Sequence, residues 1–144
     1  MKISTRGRYA LRMMIDLAEH KSQPVLSLKE IADRQEIPFK YLEKILRDLV
    51  KAGLVYGKNG KGGGYHLTRE TNQYTVAEIL EVAEGDLAPV SCLSCKVNTC
   101  PRKENCKTLK MWEDYYRLTK DYFSSITLSS LVGNSSNFEE GLGL

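Results

Sequence analysis

No cysteine occurs outside residues 92–106 of this 144-residue chain, and nowhere do 18 uncharged apolar residues run together. The second absence excludes an ordinary transmembrane helix. The opening MKISTRGRYALRMMIDL is no secretory signal either, because Arg12 and Asp16 interrupt its apolar stretch. Together these features predict a cytoplasmic protein with no membrane partner. Histidine is scarce, with only His20 and His66, and neither lies near the cysteines. Both read as surface or packing residues. No nucleophile–base pair, paired acid/base carboxylates or cofactor fingerprint stands out, so the chain does not read as an enzyme.

What the chain does have is unevenly placed. Residues 1–70 hold 14 Lys+Arg against 8 Asp+Glu, a net of +6, while residues 71–144 hold 7 against 10, a net of −3. A polyanion would dock on the basic half. The length and the 42% hydrophobic content suit a single domain with a real core and one protruding element.

The four cysteines, Cys92, Cys95, Cys100 and Cys106, follow the pattern C-x2-C-x4-C-x5-C. Thiolates crowded this closely can share an iron–sulfur cluster, coordinate zinc through all four sulfurs, or form disulfides. A reducing cytoplasm disfavours the stable disulfide and leaves metal ligation or reversible thiol chemistry. Lys96, Arg102, Lys103 and Lys107 surround the thiols and favour their ionisation. Leu93 and Val97 are among the few apolar residues here, which predicts a loop that is mobile when empty.

Apolar spacing places a helix over roughly residues 6 to 20, with Ser4 or Thr5 as cap and Met13 and Met14 as core filler. Ser27-Leu28-Lys29-Glu30 has the form of a capping box and opens a second helix. Pro38 suits the first position of a third helix, whose apolar stripe is Tyr41, Leu42, Ile45, Leu46 and Leu49 and whose end is marked by Gly53. Two short helices joined by a tight turn make a helix-turn-helix over about 28–51.

Leu54-Val55-Tyr56 and Tyr65-His66-Leu67-Thr68 are β-prone runs separated by Gly57 to Gly64, a glycine-rich basic segment. This predicts a hairpin wing over about 54–68. The glycines lack the order of a phosphate-binding loop and do not open a helix. A helix-turn-helix followed by a basic wing implies double-stranded DNA as partner, with the third helix entering the major groove N-terminus first. The candidate contacts are Lys40, Tyr41, Glu43 and Lys44 on that helix, Lys58, Asn59 and Lys61 on the wing, and Lys2 and Arg6 at the N-terminus, with Arg8 adding charge. Arg47 and Lys51 are better placed for the backbone or solvent. Glu43 is expected to act as a specificity filter, accepting from a cytosine amino group, unless it is spent on an ion pair with Arg47.

Thr75-Val76-Ala77-Glu78 has the form of a second capping box, for a helix ending near Gly85. Beyond the cysteines, Leu109, Trp112, Tyr116, Thr119, Phe123 and Ile126 form a heptad-like stripe along one long helix, which predicts a symmetric dimer. Such a dimer would set two recognition helices about 34 Å apart, or a multiple of it, over a pseudo-palindromic operator. The predicted organisation is a winged helix-turn-helix domain over 1–85, a cysteine-rich loop over 86–107, a dimerisation helix and packing segment over 108–132, and a flexible tail over 133–144. The fold class is mainly α with a small β-hairpin.

Four stretches in this order, MKISTRGRYALRMMIDLA, SLKEIADRQEIPFKYLEKILRDLVKAGLV, GKGGGYHLT and the cysteine loop running into LKMWEDYYRL and ITLSSLV, resemble the Rrf2-type winged-helix transcription regulators, the group of IscR, NsrR and CymR. The resemblance covers roughly residues 1–132. It implies a winged DNA-binding domain, a long dimerisation helix and a cysteine loop that holds a 2Fe-2S or 4Fe-4S cluster in many members and is absent in others. Cys95, Cys100 and Cys106 match the three-cysteine spacing of NsrR-like sensors. IscR-like members carry a histidine ligand where this chain has Leu109, and NsrR-like members an acidic residue where it has Arg8, so by the resemblance a fourth protein ligand comes from Cys92, from elsewhere in the chain, or not at all. Glu43 matches the glutamate by which IscR-like proteins distinguish operator classes, whereas Asn59 replaces a wing arginine. By the same resemblance 2Fe-2S is favoured over 4Fe-4S, and the implied role is cluster-dependent control of operator binding, in iron–sulfur biogenesis or a redox or nitric oxide response. The alternatives are a thiol switch without a cluster, in sulfur or oxidative-stress control, and an iron–sulfur electron carrier.

Overall fold

Met13 and Met14 are fully buried beside Ala10, Leu17 and Ala18, and around this face of the first helix the rest of the molecule is assembled. The computed structural model describes residues 2–58 and 62–133. Its helices and strands run α1 (Thr5–Glu19), α2 (Leu28–Gln35), α3 (Phe39–Lys51), β1 (Val55–Lys58), β2 (Gly64–Leu67), α4 (Val76–Glu84), α5 (Leu109–Ser124) and α6 (Leu128–Leu131). Short 3-10 turns sit at Thr71–Gln73, Ser91–Leu93 and Lys103–Asn105.

Local chemistry explains where the helices begin. Ser4 caps α1 by accepting from the Gly7 N–H. At α2 the capping box is complete: the Ser27 hydroxyl accepts from the Glu30 N–H and the Glu30 carboxylate accepts from the Ser27 N–H, both at 3.1 Å. Pro38 stands just outside α3 rather than at its first helical position, and its carbonyl accepts from the N–H groups of Tyr41 and Leu42. Gly53, at φ 78°, follows the end of α3 in the left-handed conformation that glycine adopts without strain. At α4 the expected box is only half made. Thr75 accepts from the Glu78 N–H, but the Glu78 carboxylate is drawn to Arg69, which it meets at 2.8 Å.

Leu42, Ile45, Leu46 and Leu49 bury the inner face of α3 against α1 and α2, each full burial contributing about 1.5–3 kcal/mol. Tyr41, expected in that stripe, lies outside it: it is half exposed and meets the Tyr9 ring edge-on at 5.5 Å. The wing is an antiparallel pair in the register Val55↔Leu67 to Lys58↔Gly64. Leu26 extends this small sheet by accepting from the Tyr65 N–H at 2.9 Å, an approach so close that a Cβ on Gly64 would strike the Leu26 backbone. The predicted contacts Asn59 and Lys61 lie outside the described residues, as does the predicted tail from residue 134 onward.

Tyr74 is fully buried, and its hydroxyl donates to the Leu54 carbonyl while accepting from the N–H groups of Thr68 and Arg69. It ties both wing strands to α4. At the far end, the Val76 N–H donates to the Ile126 carbonyl and the Leu128 N–H to the Tyr74 carbonyl, so the segment after α5 returns to the core.

Helix α5 itself buries no side chain. Of its predicted stripe, Phe123 packs against the cluster of Val76, Leu80 and Leu87 together with Ile126, which lies beyond the helix end. Trp112, Tyr116 and Thr119 remain half exposed, and Met111, Tyr115, Leu118 and Tyr122 form a second, more exposed line at spacings of 4, 3 and 4 residues. Among the described residues no helix is long and apolar enough to cross a membrane.

Candidate nucleic-acid interface and cysteine loop

The turn between α2 and α3 is held from below. Asp16, 1% exposed, accepts from Nε and Nη2 of Arg34 and from Nε2 of Gln35, while Arg12 donates to the side chain and backbone carbonyl of Gln35. The hydrogen bonds that Arg34 donates to the Asp16 carboxylate raise the Arg34 pKa above its ordinary value. Glu36 then takes a left-handed conformation, φ 54°, and redirects the chain into α3.

With its inner face spent on the core, α3 turns Phe39, Lys40, Lys44 and Arg47 outward as exposed side chains, with Glu43 half exposed among them. Glu43 and Arg47 approach to only 3.9 Å, with Arg47 largely exposed and Glu43 half exposed, so the ion pair that competes with a reading role for Glu43 exists as a loose one. Such a pair contributes a few tenths of a kcal/mol, about 0.3–0.5. Lys58 is exposed at the end of β1, and Lys2 is exposed ahead of α1. Glu43, Leu46, Arg47 and Val50 share a groove with Gly57 and Tyr65 of the wing. Helix α3 and the hairpin thus flank one concave surface.

Arg6 is placed differently from the other predicted cations. It forms an ion pair with Asp48 on the far side of α3, and its Nε is buried without an acceptor among the described residues. Nearby, Glu84, at the end of α4, accepts from the backbone N–H of Ser4 at 3.0 Å and from its hydroxyl. A Cβ on Gly7 would collide with that carboxylate, which explains the glycine one turn into α1. These contacts link α4 to α1 and α1 to α3.

The cysteine loop leaves this junction at Gly85 and ends where α5 begins. All four cysteines are free thiols, Cys92 and Cys100 partly covered, Cys95 and Cys106 exposed. Cys100 and Cys106 line one pocket with Arg102 and Lys107. The hydroxyl of Thr108, 3.6 Å from the Cys106 sulfur, lowers that thiol's pKa by hydrogen bonding, with a smaller contribution from Arg102. Among the described residues, no three His, Cys, Asp or Glu side chains converge as a metal site. The chemistry of the donor set nevertheless fits a thiolate-held iron–sulfur cluster, with four reduced sulfurs in a short segment under a cationic fringe.

A family model for the Rrf2 iron-dependent transcriptional regulators matches residues 3–134. The chain belongs to the Rrf2 family. Among Rrf2 relatives it is 37% identical over 136 residues to protein rrf2 of Nitratidesulfovibrio vulgaris, covering 94% of this chain and 90% of that one. It is 32% identical to the transcriptional regulator IscR of Pectobacterium atrosepticum, covering 93% and 80%. The Rrf2 chain also superposes on CymR, the global cysteine regulator of B. subtilis, with a TM-score of 0.73 at 34% identity, covering 94% of this chain and 99% of that one. On T. potens IscR the TM-score is 0.71 at 34% identity, with 95% and 90% covered. The expected fold class is therefore correct, and these regulators, rather than enzymes, are its relatives.

Three features of the interface escape the sequence reading. Asp16 with Arg34, Glu84 with Ser4, and exposed Phe39 carry no local signal, since the first two join residues 18 and 80 positions apart. The third looks like any apolar residue opening a helix.

Proposed function

We propose that this Rrf2 protein is a homodimeric transcriptional regulator, acting in the cytoplasm, whose operator affinity depends on an iron–sulfur cluster held by Cys92, Cys95, Cys100 and Cys106. In this reading α3 enters the major groove of a pseudo-palindromic operator. Lys40, Tyr41, Glu43 and Lys44 meet bases or phosphates, Lys58, Asn59 and Lys61 of the wing and Lys2 follow the backbone, and Arg6 positions α3 through Asp48. Dimerisation uses α5. Its line of Met111, Tyr115, Leu118 and Tyr122 is the most exposed apolar surface of that helix, while the Phe123 end of the predicted stripe is already engaged with the core.

The observation that carries the regulatory part is the position of Glu84. It is the last residue of α4, next to the start of the cysteine loop, and it grips the beginning of α1, where Arg6 in turn grips Asp48 of α3. Ordering or releasing the loop therefore bears on the tilt of the recognition helix through two contacts. A bound cluster supplies a centre sensitive to oxidants and iron supply, 2Fe-2S being favoured over 4Fe-4S. The target is iron–sulfur biogenesis or a redox or nitric oxide response.

Oxygen-free purification with iron and sulfide assay and a visible spectrum, followed by operator titration with and without cluster, tests the reading. Loaded and cluster-free protein are expected to differ in operator affinity, and affinity should fall with salt by a slope of about −0.9 per phosphate neutralised. Colourless, metal-free protein with undiminished operator binding overturns cluster control.

A second reading is favoured by the free thiols, the lowered pKa of Cys106 and the likeness to a cysteine regulator. In it the cysteines form a reversible thiol switch with no cluster. Metal analysis separates it both from the cluster and from zinc held by four thiolates.

A further inference from the structure

Phe39 opens α3 and is 44% exposed, although most large apolar side chains of the helix-turn-helix are buried. It belongs to neither apolar cluster of the fold. The buried face of α3 is made by Leu42, Ile45, Leu46 and Leu49, and Phe39 stands beside that face on the side of Glu43, one helical turn further along. Its immediate neighbour Lys40 is exposed as well. A phenyl ring left in water at the leading end of a recognition helix has no role in this subunit's core. Its apolar surface is available to whatever that end of α3 meets.

In the major groove the one apolar group on any base edge is the C5-methyl of thymine. We infer that Phe39 is a specificity-determining residue that packs on a thymine methyl, and this rests on the nucleic-acid reading of α3. Glu43, on the same side, carries only acceptors, and the base donor it suits is the cytosine N4 amino group. The two side chains together favour pyrimidines, Phe39 by the methyl of thymine and Glu43 by the amine of cytosine. Phosphate contact by Lys40 holds the ring in register but adds no sequence information of its own.

The test uses the full-length protein. Duplexes retained by the wild type are selected from a random library, and each thymine of the selected operator is then replaced singly by deoxyuridine, which pairs identically and lacks only the methyl. Fluorescence anisotropy at fixed salt is expected to show one position per half-site at which the replacement weakens wild-type binding about fourfold, the worth of one buried methyl-sized group. Phe39→Ala should bind the thymine and uracil duplexes equally, and Phe39→Leu should keep part of the difference, with circular dichroism melts unchanged because the side chain is outside the core. Equal wild-type affinity for every uracil duplex overturns the inference alone, as does a Phe39→Ala variant that keeps the full ratio. Failure of the wild type to retain any duplex overturns the nucleic-acid reading and the inference with it.

Discussion

Arg34 donates Nε and Nη2 to the carboxylate of Asp16 at 3.1 and 2.7 Å, and this two-pronged contact ties α2 to α1 directly beneath the turn that launches α3. Asp16 is buried, whereas the Arg34 side chain remains one-third exposed. The pair therefore positions α3 and also holds a charge away from water. Replacing Asp16 by Ala strands Arg34 and the Gln35 amide. Loss of a fully buried partner costs roughly 3–5 kcal/mol, and with Arg34 still reaching water about 2 kcal/mol is expected. A shifted urea midpoint with unchanged slope reads this out; an unchanged midpoint would remove Asp16 from any structural role.

Glu84→Ala is expected to separate the cysteine loop from α1 and, through Arg6 and Asp48, from α3. The Ser4 N–H and hydroxyl lose their acceptor, at a cost comparable to a lost cap, about 1 kcal/mol. Iron content should stay at the wild-type level, while the difference in operator affinity between loaded and cluster-free protein shrinks. A variant that keeps the whole difference rules out this route between loop and helix.

Joint replacement of Cys95, Cys100 and Cys106 by Ala should abolish visible absorbance and bound iron. No cysteine belongs to the buried core, so the helical circular dichroism signal and its thermal midpoint are expected to persist. Full colour and iron in the triple variant would disprove the ligand assignment.

In reduced, metal-free protein, Cys106 should react with iodoacetamide at lower pH than an ordinary exposed thiol. Hydrogen bonding from Thr108 favours the thiolate and so lowers the pKa, which extends the reactive form toward neutral pH. Thr108→Val is expected to move the rate profile of this site upward in pH, as followed by peptide mass spectrometry. A profile identical in the two proteins would contradict the assigned cause.

Leu118 and Tyr122, 68% and 62% exposed on α5, are the places to break a dimer. Leu118→Glu combined with Tyr122→Glu should give monomers by sedimentation velocity, and operator affinity should drop as one half-site is lost. A doubly substituted protein that still sediments as a dimer would move the subunit interface elsewhere.

Much of this molecule is legible in local chemistry. The box at Ser27 and Glu30, the stripe of Leu42, Ile45, Leu46 and Leu49, and the glycines of the wing each act over a few residues, so they can be read without the fold. The same local rules misjudge Thr75 and Glu78, because Arg69, nine residues earlier in the chain and outside α4, offers Glu78 a charged partner. Tyr41 misleads for a related reason: periodicity assigns it to the buried stripe, but Tyr9 meets it at the surface.

By itself, the sequence determined the helix-turn-helix, the wing and the crowding of four thiols, because periodicity, capping and spacing are properties of neighbours along the chain. Only the tertiary structure decided that Arg6 pairs with Asp48, that Glu84 closes on Ser4, that Phe39 stays in water and that most of α5 is left uncovered. Those outcomes depend on which surfaces remain after the core has formed, and burial is a competition among all apolar side chains at once, which no local segment can record.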